Sequence, residues 1–162
     1  MIRYNALCAL NGRVYTRHIE ISTITAKGAF RVKKVVTMIA EAEVFHIASV
    51  DGDKARVRPF GFIMEFEGRI YFTTGNRKPF YRQTKANPNV EISAMLTGGR
   101  WIRMNGRAVY DGNLAAKKKA FEMYPDFKQL YGSPEGDTFE VFYLENPSAT
   151  LYSMGAEPEK LL

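Results

Sequence analysis

The sequence predicts a mainly β fold with inserted α-helices: six or seven antiparallel strands closing, or nearly closing, into a small barrel. Three observations support this. Short runs with an apolar/polar period of two recur along the chain, separated by turn signals at Asn11-Gly12, Asp51-Gly52, Glu67-Gly68 and Gly98-Gly99. Helical periodicity is confined to short stretches between them. Closure would also remove the exposed edges that an open antiparallel sheet leaves. An open sandwich is the alternative arrangement of the same strands.

Taken in order, Arg3 to Leu10 and Arg13 to Ser22 flank Asn11-Gly12, a strong hairpin signal, and Arg17, Ile19 and Ile21 interleave with His18 and Glu20. Residues 1–29 therefore read as an N-terminal extension, a hairpin arm ahead of the main domain at 30–155, with a polar tail at 156–162 expected to fray. From Phe30 the period becomes helical: Val32, Val35, Val36 and Ile39 fall on one face, with Lys33, Lys34, Thr37 and Glu41 off it. Such a helix would cap one end of the barrel. Val44 to Val50 and Lys54 to Glu65 form a hairpin around Asp51-Gly52-Asp53, and Arg69 to Thr74 returns after Glu67-Gly68.

A polar loop, Gly75-Asn76-Arg77-Lys78, follows, then a helix from Pro79 to Ala86 that Asn87-Pro88 stops. Proline suits the first helical turn, where its missing N–H costs nothing. The dipole and open amides of that turn, beside Arg77 and Lys78, favour an anion such as phosphate. Val90 to Leu96 and Arg100 to Tyr110 pair across Thr97-Gly98-Gly99. On the second of these strands Trp101, Arg103, Asn105 and Arg107 share one face and Ile102, Met104, Gly106 and Ala108 the other. The first face suits a dimer interface or a ligand edge. Leu114 to Tyr124 is a helix capped by Asn113, with Lys117-Lys118-Lys119 as a solvated face. Phe127 to Tyr131 adds a helical turn, and strands Thr138 to Leu144 and Ser148 to Met154 join at a turn over Glu145-Asn146-Pro147.

The strand carrying Arg56, Arg58, Pro59, Phe60 and Gly61 stands out. Proline within a strand belongs at an edge or bulge, and a glycine after an aromatic admits a flat ligand to the backbone. The pattern alone also allows a plain surface bulge with two solvated arginines.

The order of Arg58-Pro59-Phe60-Gly61, Gly68-Arg69-Ile70-Tyr71-Phe72-Thr73-Thr74, Asn76-Arg77-Lys78, Tyr81-Arg82-Gln83, Asn87-Pro88 and Trp101-Ile102-Arg103-Met104-Asn105-Gly106-Arg107-Ala108 resembles the pyridoxamine 5'-phosphate oxidase-like, FMN-binding split-barrel family. It is most similar to its small general-stress and nitroimidazole-resistance-like branch, over about residues 38 to 153. The resemblance implies a split β-barrel, a homodimer with FMN at the interface, and a flavin-dependent oxidoreductase. It places Arg58, Pro59, Phe60 and Gly61 along the flavin and ribityl chain, Thr73 and Thr74 as hydroxyl donors, and Asn76, Arg77 and Lys78 around the phosphate. Trp101 stands where the oxidase has a polar flavin contact and would cover the ring from a partner subunit. The C-terminal tryptophan and Arg-x-His elements by which the true oxidase grips its substrate have no counterpart from Thr138 to Leu162. Relatives of this shape also bind the deazaflavin F420 or haem.

With 162 residues, 46% hydrophobic, 25% charged and 13% aromatic, the chain is one ordinary globular domain. The single cysteine, Cys8, rules out an internal disulfide framework and suits a reducing cytoplasm. No run of about 18 apolar residues suggests a membrane span, and the N-terminus lacks the apolar core of a secretory signal. His46, with no second ligand-type residue at metal spacing, reads as structural. The net charge of +6 raises a nucleic-acid partner as the rival reading, with Phe60, Tyr71, Phe72 and Trp101 as stacking platforms. Against it, eleven Lys/Arg and three Glu between Lys54 and Arg107 concentrate the charge around the proposed phosphate site, and no nucleic-acid motif is present. A cofactor-free dimeric scaffold stays open.

Overall fold

The computed structural model describes residues 26–162, with side chains from residue 28, and ahead of them the backbone of two strands, Leu7–Leu10 (β1) and Arg13–Thr16 (β2). These pair antiparallel, Leu10 opposite Arg13, as the intervening Asn11-Gly12 predicts. The alternation over 17–21, including His18, lies outside the described residues, as does the Cys8 side chain.

Helix α1 (Ala26–Ala40) presents Val32, Val35, Val36 and Ile39 to the core, all 9% exposed or less. The main sheet follows: β3 (Phe45–Asp51), β4 (Lys54–Phe60), β5 (Met64–Phe66), β6 (Arg69–Gly75), β7 (Asn89–Leu96), β8 (Arg100–Tyr110), β9 (Phe139–Ser153) and β10 (Glu159–Lys160). Between them come α2 (Pro79–Ala86), α3 (Leu114–Met123) and α4 (Phe127–Tyr131). The strand order is β4-β3-β7-β8-β9-β6-β5, all antiparallel, with β10 added beside β9.

The expected single strand from Lys54 to Glu65 is broken. Pro59 has no N–H for a ladder, and after Phe60 the chain leaves β3 and resumes as β5 against β6. Because β4 and β5 end the strand order on opposite sides, residues 61–63 carry the chain from one edge of the sheet to the other without a shared ladder. The sheet is therefore not closed, and it is split where the Arg58 to Gly61 motif lies. This is the split-barrel architecture that the resemblance implies.

Two other expectations are corrected. Glu145-Asn146-Pro147 is no turn: β9 runs unbroken along β8, and Asn146-Pro147 lie opposite Gly106 alone, a β-bulge between the pairs Asn105–Ser148 and Arg107–Glu145. A Cβ on Gly106 would lie 3.1 Å from the Glu145 carbonyl oxygen, so any other residue would press the bulged strand back by a few tenths of an ångström. The C-terminal tail is docked rather than frayed. Leu161 is 4% exposed, its N–H donates to Ala149 O, and its carbonyl accepts from Arg31 Nε at 2.7 Å. Burial of one apolar side chain outweighs the polar composition before it.

The β8 faces fall as predicted: Ile102, Met104 and Ala108 are buried, whereas Arg103, Asn105 and Arg107 are exposed. Asn113 caps α3 by accepting from the Ala116 N–H. Lys117, expected in solvent, is instead largely enclosed, its ammonium 3.7 Å from Glu140. Tyr71 and Phe72 are buried in two separate clusters, which removes them as stacking platforms. The second cluster joins β5, β6 and β9 to α3 and α4 through Met64, Tyr71, Ala116, Phe127, Phe139 and Val141. No helix among the described residues is long and apolar enough to cross a membrane.

Candidate functional site

A cavity of about 1060 Å³ opens at the split, between β4 at one edge of the sheet and β6, the strand next to the other edge. Four pieces of chain shape it. Arg56, Arg58, Pro59 and Phe60 come from β4, and Gly61 and Phe62 from the crossing segment. Thr73 and Thr74 come from β6, and Lys78, Pro79, Phe80 and Gln83 from the start of α2. Tyr124, Phe127, Leu130 and Tyr131 close the far wall, and Glu43, Val44 and Asp51 lie at the rim.

Each polar group is held differently. Arg58 donates from Nη1 to Ser49 Oγ and from Nη2 to Gln83 Oε1, both at 2.8 Å, and its guanidinium lies over the Phe80 ring, 5.1 Å from the centroid. Burial pulls its pKa below the usual arginine value, repulsion from Arg56 adds to this, and Asp51 opposes it. It stays protonated, but its charge is only partly solvated and has no carboxylate in contact. Arg56, by contrast, pairs with Asp51 at 3.1 Å. Lys78 occupies the cap position of α2 with no side-chain capping bond and, among the described residues, no carboxylate partner. Its backbone N–H closes the preceding turn on Gly75 O.

Thr74 lines the cavity, and its hydroxyl is fully buried with no hydrogen-bond partner among the described residues. Buried polar atoms are almost always paired, so an orphan on a residue that lines a cavity calls for a partner that the chain itself does not supply. Arg58, Lys78 and the first-turn amides of α2 surround the same region with positive potential. Phe60, Phe62, Phe80, Tyr124, Phe127 and Tyr131 make much of the remaining lining aromatic.

Seven of the ten residues proposed from the sequence, Arg58, Pro59, Phe60, Gly61, Thr73, Thr74 and Lys78, line this one cavity. Asn76 does not: its amide donates to the Asp137 carbonyl and its N–H to Thr138 O, tying the loop to the residues that lead into β9. Arg77 is exposed outside the lining. Trp101 lies on the outer face of β8, stacked on Tyr152 with centroids 5.4 Å apart and planes at 10°. Sequence reasoning missed the aromatic wall of α3 and α4, whose residues there read only as helix. It also gave no role to Gln83, although that residue lies within one of the motifs.

The sequence model of the pyridoxamine 5'-phosphate oxidase family matches residues 32–145. No curated protein matches the chain. Among solved structures, a NimC/NimA family protein from Clostridium acetobutylicum is 36% identical with a TM-score of 0.77, over 82% of this chain and 92% of that one. Two more distant proteins share the fold alone. A FAD-binding protein from Mesorhizobium loti is 16% identical, over 74% of this chain and 94% of that one, with a TM-score of 0.50. A heme binding protein from Mycobacterium smegmatis is 13% identical, over 85% of this chain and 58% of that one, with a TM-score of 0.58.

Proposed function

Because the chain belongs to the pyridoxamine 5'-phosphate oxidase family, we propose that it binds FMN in the cavity at the split and acts as a flavin-dependent oxidoreductase on a small molecule. The observation that carries this reading is that Thr74, whose buried hydroxyl has no partner among the described residues, lines one cavity with Arg58, Lys78 and the start of α2. A phosphate dianion fits that donor set. It would accept from the hydroxyl, from the free N–H groups of Arg58 and from Lys78 by charge-assisted bonds.

Pro59, Phe60 and Gly61 would lie along the rest of the cofactor, with Gly61 offering backbone rather than a side chain. Tyr124, Phe127 and Leu130 would keep water from the ring and leave room for a second small molecule. When bound, the flavin supplies hydride and electron transfer; the chain's residues bind it, orient it and exclude solvent. Trp101 can reach such a site only from a second copy of the chain, so the reading includes a homodimer. Haem, which one fold relative binds by name, fits less well. None of the lining residues is a histidine or cysteine, and His46 is exposed on β3 away from the lining.

The test is to purify the chain, soak it with FMN, remove the excess and denature it. Release of stoichiometric FMN supports the proposal, and protein that stays colourless after reconstitution removes it.

A further inference from the structure

We infer that Gln83 and Ser49 form a neutral clamp, acting as positioning residues that aim the Arg58 guanidinium at an anionic ligand group without neutralising it. The inference rests on the reading of the cavity as a site for a phosphate-bearing ligand, and it names the feature that makes Arg58 selective for that group.

The three side chains make a closed ring. Arg58 Nη1 donates to Ser49 Oγ at 2.8 Å, Arg58 Nη2 donates to Gln83 Oε1 at 2.8 Å, and Ser49 Oγ donates to the same Oε1 at 3.0 Å. Arginine has only donors, so the amide must turn its oxygen toward Arg58. Ser49 is 3% and Gln83 9% exposed, so both are set in the packed wall between β3 and α2, and the Phe80 ring fixes the guanidinium plane from one side. Two of the guanidinium's five N–H groups are used in the clamp; the others remain for a ligand.

The clamp is uncharged, and that has a consequence. Elsewhere the protein holds arginines with carboxylates: Arg56 with Asp51, Arg103 with Glu91, Arg107 with Glu145. A carboxylate at position 83 would grip Arg58 more strongly and in nearly the same shape, but it would cancel the charge before a ligand arrived and repel an anion. The glutamine amide fixes the geometry and leaves the charge available. Arg58's lowered pKa agrees with a guanidinium that is partly desolvated and poorly compensated.

The experiment compares the full-length chain with Q83E and Q83M. Affinities for FMN and riboflavin come from titration; inorganic phosphate is the flavin-free probe, read as a shift in melting temperature. A neutral clamp predicts the order wild type, then Q83M, then Q83E. Q83M should lose a few-fold through a looser Arg58, and Q83E about tenfold or more through neutralisation, with riboflavin affinity within about twofold throughout. A merely structural glutamine predicts the reverse order, because glutamate keeps the hydrogen bonds that methionine lacks. That order, equal affinity of Q83E and wild type, or parallel losses for riboflavin would overturn the inference. Phosphate protection in that order without FMN binding would keep the clamp and remove the flavin reading; a wild type that binds neither would remove both.

Discussion

Gly75 and Tyr131 are in contact: a Cβ built on the glycine would lie 3.1 Å from Cε1 of the tyrosine ring. The missing side chain at the end of β6 lets the α4 aromatic close against the strand, where it packs on Phe139 and lies under Lys78. Gly75→Ala should push the ring toward the cavity, which Tyr131 lines. We expect a loss of about 1 kcal/mol in stability and weaker flavin binding, measured by denaturant unfolding and by titration. No change in either would show that the Tyr131 ring shifts freely and does not shape the site.

Thr74→Val removes the orphaned hydroxyl while keeping the side chain's shape. An unpaired buried polar group costs about 1–3 kcal/mol, so the apoprotein should become more stable while FMN affinity falls. Opposite signs in the two measurements are the signature of a ligand-facing hydroxyl. A less stable apoprotein would mean that Thr74 has a structural partner.

Lys78→Ala should leave the fold intact, since Lys78 is exposed and its ammonium lies over the Tyr131 ring at 5.8 Å without an ion pair among the described residues. FMN affinity should drop by about 1.5–3 kcal/mol, the range for one charge-assisted hydrogen bond. Riboflavin, which lacks the phosphate, should be almost unaffected. Equal losses for both ligands would place the phosphate elsewhere.

Two tyrosines set an alkaline limit. Burial, then the hydrogen bond from its hydroxyl to Asp111 at 2.7 Å, pushes Tyr71 up to about 12; burial does the same for Tyr110, against a hydrogen bond with Thr84. Between the ordinary tyrosine value of about 10 and about 12, the unfolded chain loses these protons and the folded one keeps them. Stability contributed by the two hydroxyls is therefore complete below about pH 10 and lost as pH rises through about 12. Melting temperature should fall steeply over that window, with the tyrosinate absorbance of Tyr71 and Tyr110 appearing only on unfolding. Tyrosinate from the folded protein for all nine tyrosines near pH 10 would contradict the burial.

Trp101 and Tyr152 stack on the outer face of β8 and β9, a flat aromatic pair beside Arg103. If this face meets a second copy, light scattering at micromolar concentration should give twice the chain mass, and Trp101→Ala should shift it toward the monomer. A monomeric wild type with full FMN affinity would mean that the site is complete within one chain.

The sequence announced its strands well where alternation and turn glycines agreed, as from Arg100 to Tyr110, whose ends match the structure. It failed where long-range contacts decide. Nothing local distinguishes the 145–147 bulge from a turn, because its shape depends on Gly106 in the facing strand. Nothing in a polar tail reveals that Leu161 has a place in the core. The site divides in the same way. Residues on β4, β6 and at the start of α2 were legible because the motif is local to them. Tyr124, Leu130 and Tyr131 reach the cavity only through the packing of α3 and α4 under β9, and Ser49 is visible only as the partner of Arg58.

The most direct measurement is a calorimetric titration of the apoprotein with FMN and with riboflavin under the same conditions. The account predicts saturable binding of FMN, riboflavin at least about tenfold weaker for want of the phosphate, and competition between FMN and inorganic phosphate. Equal affinity for the two flavins, or no heat with either, would contradict it.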